Sequence, residues 1–195
     1  MKQSAQGRKH GTTSIELDKR TEKLCHFGKQ DFNYHGAAYG FVERTYYHFR
    51  NDNAPVLQLE TDEKYFSFVV KTSFADSHRR FDQCGIAVYL DAENWLKASV
   101  EYENGDFQHL GSVVTNLGYS DWATTEISAA VKTMWYRLSR REDDYCIECS
   151  EDGVRFRQMR VCHLHKGNGT IRFGVYACSP EESSFTAVFT DFAVT

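Results

Sequence analysis

The sequence predicts an all-β protein in which two antiparallel sheets pack as a β-sandwich, and three observations favour this fold class. From Tyr46 onwards, apolar and polar side chains alternate with the period of two that is typical of strands. The 14 Phe, 11 Tyr and 3 Trp residues favour strands over helices. With only two prolines, the turns between the short runs must come mainly from Gly, Asn and Asp. A chain of 195 residues fits one domain of this kind.

The clearest alternation occurs in three successive segments, which we predict to be strands: Tyr65–Ser73, Gln83–Asp91 and Trp95–Glu103. The turn-rich tetrad Asp91–Asn94 between the last two is suited to a hairpin. Every second side chain of this hairpin is apolar, and these rows are expected to pack against the second sheet: Cys84, Ile86, Val88 and Leu90, with Leu96, Ala98, Val100 and Tyr102.

Further short strands are expected along the rest of the chain, at about 107–115, around Trp122, and at 133–140, 144–150, 154–162, 170–178 and 185–194. The turn signal Glu151-Asp152-Gly153 separates two of them. The window Ile127–Met134 contains residues that tolerate a helix, so a short helix is an alternative there. Many short strands joined by hairpins are typical of a sandwich or jelly roll.

Residues 1–22 are polar and mixed in charge, and we expect a poorly ordered leader there, with a short strand at Thr13–Leu17 as the one regular element. Residues 23–195 are then expected to form a single β-sandwich domain, because the rest of the chain contains neither a linker nor a repeat of fixed period.

Composition argues against several function classes. With Lys plus Arg at 23 and Asp plus Glu at 27, the net charge of −4 does not predict a nucleic-acid-binding protein. No apolar run approaches the ~20 residues of a membrane helix, so no membrane association is expected. Without a recognisable signal peptide, the six cysteines are interpreted as reduced thiols in the cytoplasm.

The polar face of the Gln83–Glu103 hairpin is the candidate functional site. Strand alternation places a tryptophan, a cation, a carboxylate and an amide on this face, and neighbouring positions lie ~5 Å apart. The predicted binding residues are Gln83, Tyr89, Trp95, Lys97 and Glu101, with Asp121 and Trp122 if their strand borders the same groove.

We interpret this face as an open platform for a carbohydrate or small polyol. Trp95 would stack on the ligand, Lys97 and Gln83 would donate hydrogen bonds, and Glu101 would accept them. The alternative is an ordinary solvated sheet face with an ion pair between Lys97 and Glu101.

Catalysis and metal binding receive less support from the residues. Glu101 is the one candidate catalytic carboxylate, because Glu101 and Glu103 point the same way at a spacing that suits glycoside hydrolysis.

A zinc site is not supported by the cysteines and histidines. Cys146 and Cys149 are three residues apart on a predicted strand, so they should face opposite sides and cannot share a zinc ion. The later His163-x-His165 lacks the spacing of finger-type zinc sites. No metal and no cofactor are therefore expected.

Several motifs together resemble the regulation-of-enolase protein family, a domain of unknown function (1349). The resemblance covers about residues 30–195, in order and with similar spacing. The motifs are Thr45-x-Tyr47-x-Phe49-x-x-Asp52-Asn53, Phe81-Asp82-Gln83-Cys84-Gly85, Asp91-x-Glu93-Asn94-Trp95-x-Lys97-x-x-x-Glu101-Tyr102, Ser112-Val113-Val114-Thr115, Ser120-Asp121-Trp122, Trp135-x-Arg137-Leu138, Ser150-x-Asp152-Gly153 and Ala177-Cys178-Ser179-Pro180.

The resemblance implies a concanavalin A-like lectin/glucanase jelly roll, and it implies no enzymatic activity. The acidic triad that glucanases of this fold carry on one strand is missing here, which argues against hydrolysis. A carbohydrate role follows only by analogy of fold. The expected function is therefore a non-catalytic carbohydrate-binding module. The alternatives are a glycosidase-like enzyme using Glu101 and a regulatory protein that binds a metabolic enzyme such as enolase.

Overall fold

The structure is a computed structural model that describes 54, 56–181 and 183–195, together with five short strands nearer the N-terminus. The strands, in chain order, are β1 Lys2–Ser4, β2 Glu16–Asp18, β3 Gln30–Asn33, β4 Phe41–Val42, β5 Asn51–Asp52, β6 Val56–Thr61, β7 Tyr65–Ser73, β8 Gln83–Asp91, β9 Asn94–Tyr102, β10 Phe107–Asn116, β11 Tyr119–Ser128, β12 Thr133–Arg141, β13 Asp144–Ser150, β14 Arg157–His163, β15 Ile171–Cys178 and β16 Thr186–Val194.

Two six-stranded antiparallel sheets make up the body of the described chain. Sheet I has the strand order β11-β10-β9-β8-β15-β6, and sheet II has the order β14-β13-β12-β7-β16-β3. The remaining short strands pair as β1 with β2 and β4 with β5. The predicted two-sheet, all-β sandwich is confirmed. No helix long and apolar enough to cross a bilayer occurs among the described residues.

The core lies between the two sheets and is built from the rows that the alternation predicts. Cys84, Ile86, Val88, Leu96, Ala98 and Val100 are at most 1% exposed. The ring of Phe173 on sheet I lies 4.6 Å from that of Phe66 and 5.3 Å from that of Phe68, both on sheet II, so these rows face across the interface. Side chains at the intervening positions of β8 and β9 therefore point away from sheet II.

Most predicted strands are confirmed, two of them to the residue at both ends: β7 and β8. The helix considered for Ile127–Met134 does not form, because that window contains the end of β11, a turn and the start of β12. The side-chain amide of Gln108 holds the turn by donating to Ser128 O and Val131 O at 2.9 and 2.7 Å. A long-range contact thus overrides the local helix tolerance.

The strand expected at 154–162 begins later, at Arg157, because the preceding turn is fixed by a side chain. The Asp152 carboxylate accepts hydrogen bonds from the amides of Val154 and Arg155, both at 2.8 Å. These two amides are consequently not available to a ladder.

The expected leader at 1–22 lies mostly outside the described residues. Within it, β1 and β2 form an antiparallel pair, and β2 overlaps the strand expected at Thr13–Leu17 at its last two positions.

Candidate functional site

The register of the β8–β9 hairpin brings together the polar residues that the sequence places on one face. Gln83 lies opposite Glu101, and Tyr89 lies opposite Trp95. Lys97 lies opposite Ala87 between these two pairs. The hairpin is closed by the Asp91 carboxylate, which accepts a hydrogen bond from the Glu93 amide at 2.8 Å. Local turn chemistry therefore sets the register, and the register assembles the site.

This outer face of sheet I is largely closed, which differs from the open face expected from the sequence. Trp95 is 1% exposed, Gln83 2% and Lys97 4%. The indole Nε1 of Trp95 donates to Ala92 O at 3.3 Å, so the ring is anchored in the hairpin rather than presented to solvent. Alternation correctly assigned these side chains to the outer face, but it carries no information on what else buries that face.

A chain of hydrogen bonds, which we call the buried relay, links the charged groups of this face. Lys97 Nζ donates to Gln83 Oε1 at 2.6 Å, and Gln83 Nε2 donates to Glu101 Oε2 at 2.7 Å. Tyr176 OH donates to the same Gln83 Oε1 at 3.0 Å, and Phe81 O accepts from Gln83 Nε2 at 3.3 Å. Lys97 and Glu101 are thus joined through an amide.

The Gln83 amide has no hydrogen-bonding capacity left for a ligand. Its oxygen accepts two bonds and its nitrogen donates two, which is the full complement of a primary amide. We therefore assign Gln83 a positioning role. It orients Lys97 and Glu101, each of which retains donors or acceptors beyond its bond to Gln83.

Burial raises the pKa of the Glu101 carboxyl, and the neighbouring Lys97 ammonium and His109 partly oppose this shift. The Gln83 amide also lowers this pKa by donating to the carboxylate. A carboxyl in this environment takes up a proton more readily than a solvated glutamate does. As the pH falls, the Glu101 carboxyl therefore changes from an acceptor only to both a donor and an acceptor at a higher pH than a solvated glutamate does.

A small depression opens on the outer face beside the relay, with a volume of about 210 Å³ that includes its open mouth. Gly111 leaves room for it, because a Cβ there would lie 2.9 Å from Thr124 Cγ2 and 3.7 Å from Trp122 Nε1. The depression is lined by Lys97, Ser99, Glu101, His109, Gly111, Ser112, Trp122 and Thr124.

Three of the predicted site residues line the depression: Lys97, Glu101 and Trp122. Trp122 is 40% exposed and is the aromatic side chain at this opening. Tyr89 belongs to the same face as Trp95 and carries the Arg172 guanidinium over its ring, at 5.0 Å from the centroid. Tyr89 and Trp95 thus lie on the same face as the depression but do not line it.

Asp121 points to the opposite face from Trp122, because adjacent strand residues alternate. Its carboxylate lies 2.9 Å from the Arg160 guanidinium on β14, so it joins the edges of the two sheets. Of these two residues, Trp122 lines the depression and lies opposite Val113 of β10, whereas Asp121 does not line it.

His109, Gly111 and Thr124 line the depression but are not among the binding residues predicted from the sequence. His109 lies opposite Glu101, and Gly111 lies opposite Ser99 on one side and Thr124 on the other. The available signal was the register of the β9–β10 hairpin, which Asn104 sets by accepting hydrogen bonds from the Asp106 and Phe107 amides. Continuing the alternation across that turn would have placed His109 and Gly111 on the same face.

The second carboxylate considered for catalysis, Glu103, is engaged elsewhere. It forms an ion pair with Arg80 at 2.6 Å, and His109 Nδ1 lies 4.0 Å from its other oxygen. Glu103 therefore has a salt-bridge partner on the rim, whereas Glu101 is bonded to an amide.

Two groups of residues deserve comparison as metal ligands. Cys146 is half-buried and Cys149 is buried, on opposite faces of β13, so these thiols cannot share an ion. In contrast, Asp143, Asp144 and His163 place ligand atoms within 4.8 Å of one another. His163 Nδ1 is 2.8 Å from Asp144 Oδ1 and its Nε2 is 3.8 Å from Asp143 Oδ2, so the side chains of this turn contact one another directly.

The family described as "Protein of unknown function (DUF1349)" matches residues 36–195. A relative, "Regulation of enolase protein 1" of Saccharomyces cerevisiae, is 30% identical over 156 residues, which is 80% of this chain and 76% of that protein.

Solved structures share the fold. One described as a functionally unknown protein from Saccharomyces cerevisiae has a TM-score of 0.80 at 24% identity, over 98% of this chain and 95% of that one. A xylan beta-1,4-xylosidase from Bacillus halodurans has a TM-score of 0.62 at 12% identity, over 82% of this chain but only 32% of its own. At these identities the likeness establishes the β-sandwich fold alone.

Proposed function

The chain belongs to the DUF1349 family of proteins of unknown function, and from that premise we propose that it is a non-catalytic binding module for a sugar or small polyol. The ligand would occupy the depression on sheet I. The observation that carries the proposal is the buried relay, which holds a cation and a carboxylate at the floor of an opening that has an aromatic ring on its rim.

The lining chemistry supports a polyhydroxylated ligand. Lys97 supplies donors, Glu101 supplies acceptors, and the hydroxyls of Ser99 and Thr124 do both. Trp122, at 40% exposure, offers the apolar surface on which a sugar ring stacks, a role that the sequence had suggested for Trp95.

Fold analogy adds limited support. The solved proteins of similar fold include the xylan beta-1,4-xylosidase already described and an alginate lyase from Klebsiella pneumoniae, whose names indicate carbohydrate substrates. Since this chain matches about a third of the xylosidase, that enzyme's activity cannot be carried over. The shared sandwich nevertheless makes a carbohydrate the first ligand class to test.

Titration calorimetry of the full chain with neutral monosaccharides, disaccharides and inositols tests the proposal. We expect at least one of them to bind, and Trp122→Ala to weaken the binding about tenfold through lost stacking. Tyr65→Ala is the matched control, because Tyr65 is 67% exposed on sheet II. Absence of binding across the panel, or equal loss in both variants, would contradict the proposal.

A second candidate is a regulatory protein that binds a metabolic enzyme. The relative named "Regulation of enolase protein 1" favours this candidate, as do Leu117 and Tyr119, which are 50% and 65% exposed at the β10–β11 hairpin. Purified enolase would be passed over the immobilised chain and over its Leu117→Asp variant. Weaker enolase binding to the variant than to the wild type supports this candidate. Enolase binding that an added sugar abolishes supports the depression as the binding site instead.

A glycosidase-like activity is the third candidate, and the raised pKa of Glu101 is the observation in its favour. A general acid needs such a shift, and it also needs a second carboxyl at hydrolase spacing. Release of nitrophenol from nitrophenyl glycosides by the wild type but not by Glu101→Gln would establish it. Equal rates in the two proteins would exclude it.

We also propose a cytoplasmic location, and one domain at 23–195 that follows a leader. Among the described residues, Cys84, Cys146, Cys149, Cys162 and Cys178 are free thiols. Burial raises the pKa of Cys178 to about 12 and that of Cys162 to about 11, which keeps both protonated and unreactive. Limited proteolysis should remove the leader and leave one resistant fragment.

A further inference from the structure

Four buried oxygens without hydrogen-bond partners gather in two loops at one end of the sandwich. Of the seven buried side-chain polar atoms that lack a partner in the described chain, four lie in the loops 74–82 and 179–185, and they are Ser77 Oγ, Asp82 Oδ1, Ser179 Oγ and Ser183 Oγ. Buried polar atoms are almost always paired, so a concentration of unpaired ones calls for a ligand or bound solvent.

The two loops run side by side. Each connects a strand of one sheet to a strand of the other, from β7 to β8 and from β15 to β16. The β8–β15 ladder ends with Gln83 opposite Cys178, and Asp82 and Ser179 each come one residue beyond this last opposed pair. Directly opposed residues have Cβ atoms ~5 Å apart. The Asp76 carboxylate also ties the loops together by accepting from the Thr186 amide at 2.9 Å.

The Asp82 carboxylate is the charged member of this group, and its side chain is fully buried. Its Oδ2 accepts hydrogen bonds from the amides of His78 and Arg79, both at 2.9 Å. Ser77 directly precedes His78 in the chain. Asp82 Oδ1 accepts from nothing. An isolated buried carboxylate is costly unless a cation compensates it.

No side chain of the described residues compensates this carboxylate with a fixed charge. No Lys or Arg nitrogen of the described chain lies within 4.0 Å of it, and the nearest basic group is His78, whose Nδ1 is 4.0 Å from Oδ2. That nitrogen lies much closer to Asp76 O, at 2.7 Å. Among the described residues, the Asp82 carboxylate therefore has no partner with a fixed positive charge.

We propose that Asp82, with Ser179 and Ser77, binds a hard metal cation of the calcium type. The available donors are one carboxylate oxygen and neutral hydroxyl oxygens, without nitrogen or sulfur from these loops at the unpaired positions. Calcium accepts all-oxygen sets of irregular geometry, whereas zinc prefers nitrogen and sulfur. The bound ion would join the two loops next to Gln83 and so support the start of the relay.

Thermal unfolding of the chelator-treated full chain, with and without millimolar calcium chloride, tests this site. We expect calcium to raise the Tm by about 5 °C, and equimolar magnesium to raise it less. Asp82→Asn and Ser179→Ala should abolish or reduce the rise. Ser184→Ala is the matched control, because Ser184 is exposed in the same loop and should respond like the wild type.

Equilibrium dialysis with calcium supplies a readout that does not depend on stability. We expect one ion per chain, and binding about tenfold weaker in Ser179→Ala, which keeps the proposal testable if Asp82→Asn fails to fold. A wild type that neither binds calcium nor gains Tm would overturn the proposal. Binding of equal strength in Ser179→Ala and the wild type would also overturn it, because the ion would then lie elsewhere.

Discussion

The outer faces of the two sheets both carry a cation, a carboxylate and a tryptophan, but these side chains are arranged differently. On sheet II, Arg137 binds Glu148 through two hydrogen bonds of 2.5 and 2.6 Å, so the charges satisfy each other directly. On sheet I, an amide separates Lys97 from Glu101. A direct bidentate pair leaves little for a ligand, whereas a bridged pair leaves donors and acceptors directed into the depression.

The tryptophans of the two faces differ in exposure, since Trp122 is 40% exposed and Trp135 is half-buried. On sheet II, Lys71 Nζ lies 4.3 Å from the centroid of Trp135, and a Cβ at Gly153 would lie 2.9 Å from its Cε2, so the protein itself occupies this ring. On sheet I, Trp122 lines the depression. Residue types alone therefore do not distinguish a ligand platform from an ordinary sheet face.

The largest effect is expected from removing the bridge on sheet I. Gln83→Leu leaves the buried Lys97 and the half-buried Glu101 without their shared partner, so the free energy of unfolding should fall by about 3 kcal/mol. Urea unfolding measures this change. Gln58→Leu, at a half-buried position of β6 in the same sheet, is the control and should lower the free energy of unfolding far less. Equal losses in the two variants would show that the buried relay contributes no more to stability than an ordinary polar side chain of this sheet.

A smaller effect is expected at the turn that covers Trp135. Gly153 has φ +72°, and its missing Cβ makes room for the indole. Gly153→Ala should therefore lower the free energy of unfolding by about 2 kcal/mol, from backbone strain and displacement of the ring. Urea unfolding and the fluorescence of Trp135 report it. Gly105→Ala, with open space around the added methyl group, is the control. A stable Gly153→Ala variant with unchanged fluorescence would contradict this packing.

The subtlest test compares the pH dependence of the two glutamates, whose pKa values shift in opposite directions. Burial raises the pKa of Glu101, so its contribution to stability is present below the ordinary value of about 4.3 and is lost as pH rises through the folded pKa. Hydrogen bonds from Arg137 lower the pKa of Glu148, so its contribution is present above that value and is lost as pH falls.

Glu101→Gln and Glu148→Gln should therefore change the slope of stability against pH with opposite signs. Relative to the wild type, Glu101→Gln should gain stability as the pH rises from about 4.3 through the folded pKa of Glu101. Glu148→Gln should lose stability relative to the wild type as the pH rises from the folded pKa of Glu148 towards about 4.3. The neutral-pH cost of Glu148→Gln should be under about 1 kcal/mol, because the pair is partly exposed. Urea unfolding across the acid range measures both slopes, and parallel slopes would contradict the assignment of the two environments.

Much of the fold was predictable from the sequence, because alternation, turn residues and aromatic content all favour the same architecture. Parity was predictable too, since Leu96 and Lys97 must point to opposite faces of a strand. The burial of Trp95 was not, because exposure depends on tertiary packing. The grouping of Asp121 with Trp122 was avoidable, since neighbours on a strand cannot share a face.

The most direct test of the central claim uses the indole N–H resonances of the three tryptophans, Trp95, Trp122 and Trp135. During titration with a sugar or polyol that binds in calorimetry, we expect the Trp122 signal to shift with saturation while the Trp135 signal stays in place. A shift confined to Trp135, or binding that moves none of the three, would contradict a ligand site in the depression on sheet I.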